Sequence, residues 1–126
     1  MNKPVSKITP IGQGASLSSH PSSGEIDRLF DALGGTNLPP RTKKLSSAHI
    51  IKKAKKLVEE ASEMSFEAVF GRRRGVVEES VDLIYHMVVL WRACSVKPNE
   101  VWREMHQRAD EHGVAGKLPK RKSRRH

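Results

Sequence analysis

The chain has 126 residues, 29% of them charged, with one cysteine and a formal charge of +9. That length allows one domain, and the lone Cys94 excludes an intrachain disulfide. No segment approaches the about 20 apolar residues of a membrane span or has the apolar core of a signal peptide, so a cytoplasmic protein with no membrane partner is expected.

The positive charge resembles that of a nucleic-acid binder, but it is concentrated at the ends. Lys117, Lys120, Arg121, Lys122, Arg124 and Arg125 lie at one end and Lys3 and Lys7 at the other, with no acidic residue in either tail, leaving +1 between Ser23 and Gly116. Any nucleic-acid contact is therefore expected only through the C-terminal tail.

Residues 1–22 are rich in Ser, Pro and Gly and are expected to form a disordered tail. A capping box of Ser22 and Glu25 opens a predicted short helix, Glu25 to Leu33, with Ile26, Leu29, Phe30 and Leu33 on its apolar face and Gly34-Gly35 as its stop. The segment TNLPPRT reads as a linker or turn. A long helix is predicted from about Ser47 to Phe70, capped by Ser46 or Ser47 and stopped by Gly71, with apolar positions recurring at three and four.

After GRRRG comes a second long helix, Val76 to Ser95, so apolar that it reads as the most buried element, with Cys94 as an inert buried thiol. Pro98 suits the first turn of a last helix over Asn99 to Ala109. From His112 onward periodicity is lost. The expectation is an all-α domain over residues 23–113, a bundle built on a two-helix antiparallel hairpin and completed by homodimerisation, followed by a basic tail at 114–126.

Two acidic patterns share one form: Glu59-Glu60-x-x-Glu63 on the first long helix and Glu78-Glu79-x-x-Asp82 on the second. A spacing of three puts Glu60 with Glu63, and Glu79 with Asp82, on one helical face. Counted outward from Gly71 the two pairs lie level, so inward-facing carboxylates would converge and need protons or a hard cation such as Mg²⁺. Glutamates on a helix more often form a solvated face. Against that, Asp82 sits between Val81 and Leu83 in the most apolar stretch, and aspartate is rarely buried without a partner.

The runs KKLVEEASE (Lys55 to Glu63) and EESVDLIYHMVVL (Glu78 to Leu90), with the turn after Phe70, resemble phosphoribosyl-ATP pyrophosphatase of histidine biosynthesis. That family lies within the MazG-like all-α NTP pyrophosphatases, and Tyr85-His86 resembles its histidine-pathway branch. The resemblance covers Arg41 to Arg108. It implies Mg²⁺ ligands at Glu60, Glu63, Glu79 and Asp82, with Glu59 beside them, and a Lys56 and Thr42 that match family positions. Two positions depart from the pattern: RTKKL lacks the tyrosine of the family's YTxxL segment, and Val58 replaces a glycine. Both departures bear on the substrate and leave the metal residues intact.

The implied reaction is Mg²⁺-dependent cleavage of phosphoribosyl-ATP to phosphoribosyl-AMP and pyrophosphate, with Glu59 or Glu63 acting on the attacking water. Lys52, Lys53, Lys55, Lys56 and Arg72 to Arg74 are candidates to hold phosphates, although basic stretches are usually solvated. His86 shares the Asp82 face as a candidate partner of the metal residues or substrate contact, although a lone helical histidine is more often a core residue. The alternatives are another NTP, deoxy or damaged, as substrate, or a non-enzymatic nucleic-acid-binding or adaptor protein that uses the basic tail.

Overall fold

The structure, a computed structural model, describes residues 24–113. The Ser22 cap and both expected tails lie outside the described residues. All regular structure among the described residues is helical: α1 (Glu25–Leu33), α2 (Pro40–Ser46), α3 (Ile50–Val69), α4 (Arg73–Ala93) and α5 (Pro98–His112). The expected all-α class is the one observed. These residues form two units that divide between Val96 and Lys97.

The first unit is organised by the α3–α4 hairpin. Gly71, at φ +70°, takes the left-handed conformation that ends α3. Its N–H bonds the Ala68 carbonyl at 3.1 Å and the Arg72 N–H bonds that of Glu67 at 2.9 Å, a Schellman closure. The Arg72 side chain adds a 2.8 Å ion pair to Glu67, whose carboxyl it holds below its ordinary pKa, and packs on the Phe70 ring. The hairpin turn is therefore fixed by backbone and side chain together. Beyond it, Ser80 on α4 faces Met64 on α3, hydroxyl to sulfur 3.3 Å.

α1 lays Ile26, Leu29, Phe30 and Leu33 against Val88 and Val89, with Leu45, Ile84, Tyr85 and Trp91 completing the cluster. Val88 is fully buried and Val89 is 4% exposed. Arg92 fastens α1 to α4 by donating to the Phe30 carbonyl at 2.7 Å and stacking on the Phe30 ring. A Cβ on Gly34 would stand 2.5 Å from that guanidinium, so glycine permits the approach.

Several local expectations need correction. The TNLPPRT segment enters a helix, because Pro39 and Pro40 occupy the N-cap and first turn of α2, where a missing N–H costs nothing. Ser47 is the C-cap of α2, and α3 is capped by His49, whose Nδ1 accepts the Ile51 N–H at 3.0 Å. α4 starts at Arg73, with Gly75 inside it, and stops at Ala93. Cys94 follows as an exposed C-cap rather than a buried core residue. Burial of α4 is confined to its second half, while Val77 (41%) and Val81 (63%) are exposed.

α5 is a separate amphipathic helix. Glu100 accepts the Lys97 N–H at 3.0 Å at its start, and Arg108–Glu104 and Gln107–Glu111 pairs bridge its successive turns. It runs three residues past the expected end, to His112.

Candidate active site

Glu60 from α3 and Glu79 and Asp82 from α4 each bring a carboxylate oxygen into a group whose members all lie within 4.8 Å of one another. The antiparallel register places them together: residues level with each other across the turn face the same interhelical seam. Glu60 is the buried member at 9% exposure, Glu79 is half-buried, and Asp82 is exposed. The expectation of a buried Asp82 therefore fails, because the apolar neighbour Val81 is itself largely uncovered. The buried acid is Glu60, in a helix whose amphipathic pattern gave its location no special mark.

Oε1 of Glu60, Oε1 of Glu79 and Nδ1 of His86 are buried without a hydrogen-bond partner. Two carboxylate oxygens of this kind, being acceptors only, call for a proton or a cation between them. Glu79 is pushed up to about 7 by burial and then by Glu63, by a hydrogen bond with Glu60 and by Asp82. Glu60 is also raised, by burial and the charges of Glu63 and Asp82, against the lowering effect of Glu79 and Lys56. With no cation, the pair accommodates a shared proton. With a hard divalent cation, the same oxygens become ligands, and the donor set fits one.

The remaining candidates are distributed around this centre. Glu63 lies outside the three-carboxylate group, exposed to solvent, but close enough to raise both Glu60 and Glu79. Glu59 is exposed and paired with Lys56 at 3.4 Å. His86 stands 3.9 Å from Glu60, too far for a hydrogen bond, and burial and Lys56 lower its pKa against the opposing pull of Asp82 and Glu59. It is therefore neutral and not the cation of a salt bridge. The Thr42 hydroxyl accepts from the Tyr85 phenol at 2.9 Å, tying α2 to α4. Arg72 is engaged by Glu67 at the turn, and Arg73 is exposed on the first turn of α4. Val58, at the departure just before the acidic pair, is 64% exposed and so does not crowd the carboxylates.

Lys53 is the residue whose position the sequence left undistinguished among its neighbouring lysines. It is 8% exposed and donates to the Ser46 carbonyl at 2.8 Å. Its spacing of seven from Glu60, two helical turns on one face, was the available signal.

Residues 25–109 match the family described as Phosphoribosyl-ATP pyrophosphohydrolase. The chain is 46% identical over 99 residues to "Phosphoribosyl-ATP pyrophosphatase 2" of Rhodopseudomonas palustris, an overlap of 75% of this chain and 76% of that protein. It is also 46% identical over 102 residues to the protein of the same name from Bradyrhizobium diazoefficiens, covering 78% and 76% of the two chains. Against the phosphoribosyl-ATP pyrophosphatase of Azospirillum brasilense, the identity is 36% over 100 residues, 76% of this chain and 90% of the relative. No solved structure matches the chain. The carboxylate-lined hairpin lies inside the matched region, and the chain belongs to the phosphoribosyl-ATP pyrophosphohydrolase family.

Proposed function

We propose that this protein is a cytoplasmic, Mg²⁺-dependent pyrophosphohydrolase that converts phosphoribosyl-ATP and water to phosphoribosyl-AMP and pyrophosphate in histidine biosynthesis. The observation that carries the reading is the convergence of Glu60, Glu79 and Asp82 within 4.8 Å, with orphaned buried oxygens on the first two, in a chain of this family. Those three residues would hold the cation, and Glu63 stands beside them. When bound there, a divalent cation supplies charge neutralisation to the phosphate oxygens during cleavage.

The other roles follow from what each side chain is already doing. Glu59 is committed to Lys56, whereas Glu63 is exposed and coupled to the cluster, which favours Glu63 as the carboxylate that orients the attacking water. Lys56, paired with Glu59 and near both Glu60 and His86, is a candidate to exchange that partner for a phosphate oxygen. Neutral His86 walls the Glu60 side of the seam and contributes a polar edge there without adding charge. Thr42, held by Tyr85, orders the α2 side as a candidate substrate contact, and Arg73 on the rim is a further candidate for the phosphates.

The enzyme is expected to act as a homodimer. Val58, Phe66, Val69 and Phe70 on and after α3, with Val77 and Val81 on α4, are 41–78% exposed, an apolar surface that a second copy would cover. Among the described residues no helix is long and apolar enough to cross a membrane.

The test is a substrate panel of phosphoribosyl-ATP, dUTP and the common NTPs, assayed for pyrophosphate release with Mg²⁺. Preferential turnover of phosphoribosyl-ATP is expected. Turnover of another nucleotide in preference would leave a related pyrophosphatase, and no turnover of any would return the chain to a binding role.

A further inference from the structure

A second polar feature of the hairpin lies away from the carboxylates. A cavity of about 210 Å³ is lined by Leu33, Ser46, Lys53, Val89, Arg92 and Ala93. Among the described residues, the ionisable groups that line it are two cations. Among the described residues neither Lys53 nor Arg92 is paired with a carboxylate, and the two chain ends outside them contain no Asp or Glu. An ammonium that is 8% exposed is costly without a counter-charge. Each cation is held in place by a backbone carbonyl, Ser46 for Lys53 at 2.8 Å and Phe30 for Arg92 at 2.7 Å. Those bonds use one of three ammonium donors and one of five guanidinium donors, which leaves both groups able to bind a multi-oxygen anion.

The position of the cavity narrows the choice of anion. Lys53 precedes Glu60 on α3 by seven residues, and Val89 follows Asp82 on α4 by seven, so residues lining the cavity share a helix face with the carboxylates, about 10 Å apart along the hairpin. Lys56 and His86 lie between them on the same face. The cavity is smaller than the roughly 300–1,000 Å³ of sites that enclose a whole small ligand. It suits a sugar phosphate, with Leu33, Val89 and Ala93 against the sugar carbons. Phosphoribosyl-ATP carries a triphosphate at one end and a single ribose phosphate at the other, bridged by adenine, whereas ATP has no group at the second end.

We propose that Lys53 and Arg92 bind the phosphate monoester at the far end of the nucleotide from the cleaved anhydride, and thereby select phosphoribosyl-ATP over ATP. This rests on the pyrophosphohydrolase reading above. Selectivity comes from a pair of charge-assisted contacts that ATP cannot make.

The experiment compares wild type with Lys53→Met and Arg92→Gln in two measurements. First, the ratio of kcat/KM for phosphoribosyl-ATP over ATP is expected to fall about 10- to 100-fold in each variant, the range for losing one charge-assisted hydrogen bond. Second, ribose 5-phosphate added in EDTA is expected to raise the melting temperature of wild type, with D-ribose inert, and the rise is expected to vanish in the variants. A variant too unstable to purify is replaced by Lys53→Gln or Arg92→Met, read the same way. An unchanged selectivity ratio, or ribose 5-phosphate stabilisation that is absent in wild type or the same in every variant, overturns the proposal. A wild type that hydrolyses neither nucleotide overturns the pyrophosphohydrolase reading, and the proposal with it.

Discussion

His86 Nε2 and Glu60 Oε2 face each other across the α3–α4 seam at 3.9 Å, each side chain 12% exposed. Because burial and Lys56 keep the imidazole neutral, it walls in the Glu60 carboxylate and fixes its position by packing, without competing for a cation. Residues that orient metal-binding carboxylates typically change metal affinity about 10- to 100-fold when removed. His86→Ala is expected to weaken Mg²⁺ binding by about tenfold, read as the Mg²⁺ concentration at half-maximal turnover. An unchanged Mg²⁺ requirement would leave His86 as a packing residue.

The raised pKa of Glu79 sets a pH signature for the metal-free protein. In the fold the group holds its proton up to about 7, whereas in the unfolded chain it releases it near 4.5. The folded state thus binds more protons in that window, and the stability Glu79 contributes is present below the unfolded value and lost as pH rises through about 7. His86, lowered in the fold, contributes in the opposite sense: its stability is present above the ordinary histidine value of 6.5 and lost as pH falls through its folded value. Glu79→Gln isolates the first effect. In EDTA the melting temperature of Glu79→Gln relative to wild type should climb between pH 5 and pH 8, and saturating Mg²⁺ should shrink the difference. A pH-independent difference in EDTA would mean that Glu79 ionises normally.

The two ends of the hairpin make a matched pair of backbone predictions. Gly71 has φ +70° and no atom within 4 Å of the place a Cβ would take, so Gly71→Ala should cost about 1 kcal/mol from conformation alone. Ser95 adopts φ +58° at the corresponding place after α4, where the Val96 N–H bonds the Trp91 carbonyl at 2.9 Å. Ser95→Gly should therefore stabilise by up to about 1 kcal/mol. Denaturant midpoints for the two variants, moving in opposite directions, check this.

Val81, 63% exposed on α4, tests the dimer. If that face is covered by a second copy, Val81→Lys places a charge in an apolar interface and should yield a monomer in sedimentation at micromolar concentration, with the helical signal retained. A wild type that is itself monomeric would contradict the dimer.

The sequence made the helices legible wherever apolar spacing was strong, as in α1 and α3, and the resemblance marked which acids to examine. What it obscured came from local competition and from solvent. Pro39-Pro40 reads equally as a turn or as a helix start, and His49 outcompetes two serines as a cap through a ring nitrogen that no capping rule favours. Hydropathy around Asp82 pointed to burial, but an apolar helix is buried only where something covers it, and Val81 is bare. The burial of Lys53, one lysine among four in α3's first two turns, depends on α1 and α2 closing over it, which periodicity alone does not express.

The most direct test of the carboxylate centre is the thermal melt of wild type, Glu79→Gln and Asp82→Asn, each in EDTA and in Mg²⁺. Like charges at Glu60, Glu63, Glu79 and Asp82 weaken the metal-free fold, so both variants should be at least as stable as wild type in EDTA. Wild type should gain on adding Mg²⁺, about 2.7 kcal/mol at a hundredfold excess over its dissociation constant, and the variants should gain less. If the carboxylates are instead partners in a structural charge network, the variants would melt well below wild type in EDTA and wild type would be indifferent to Mg²⁺, contradicting the account.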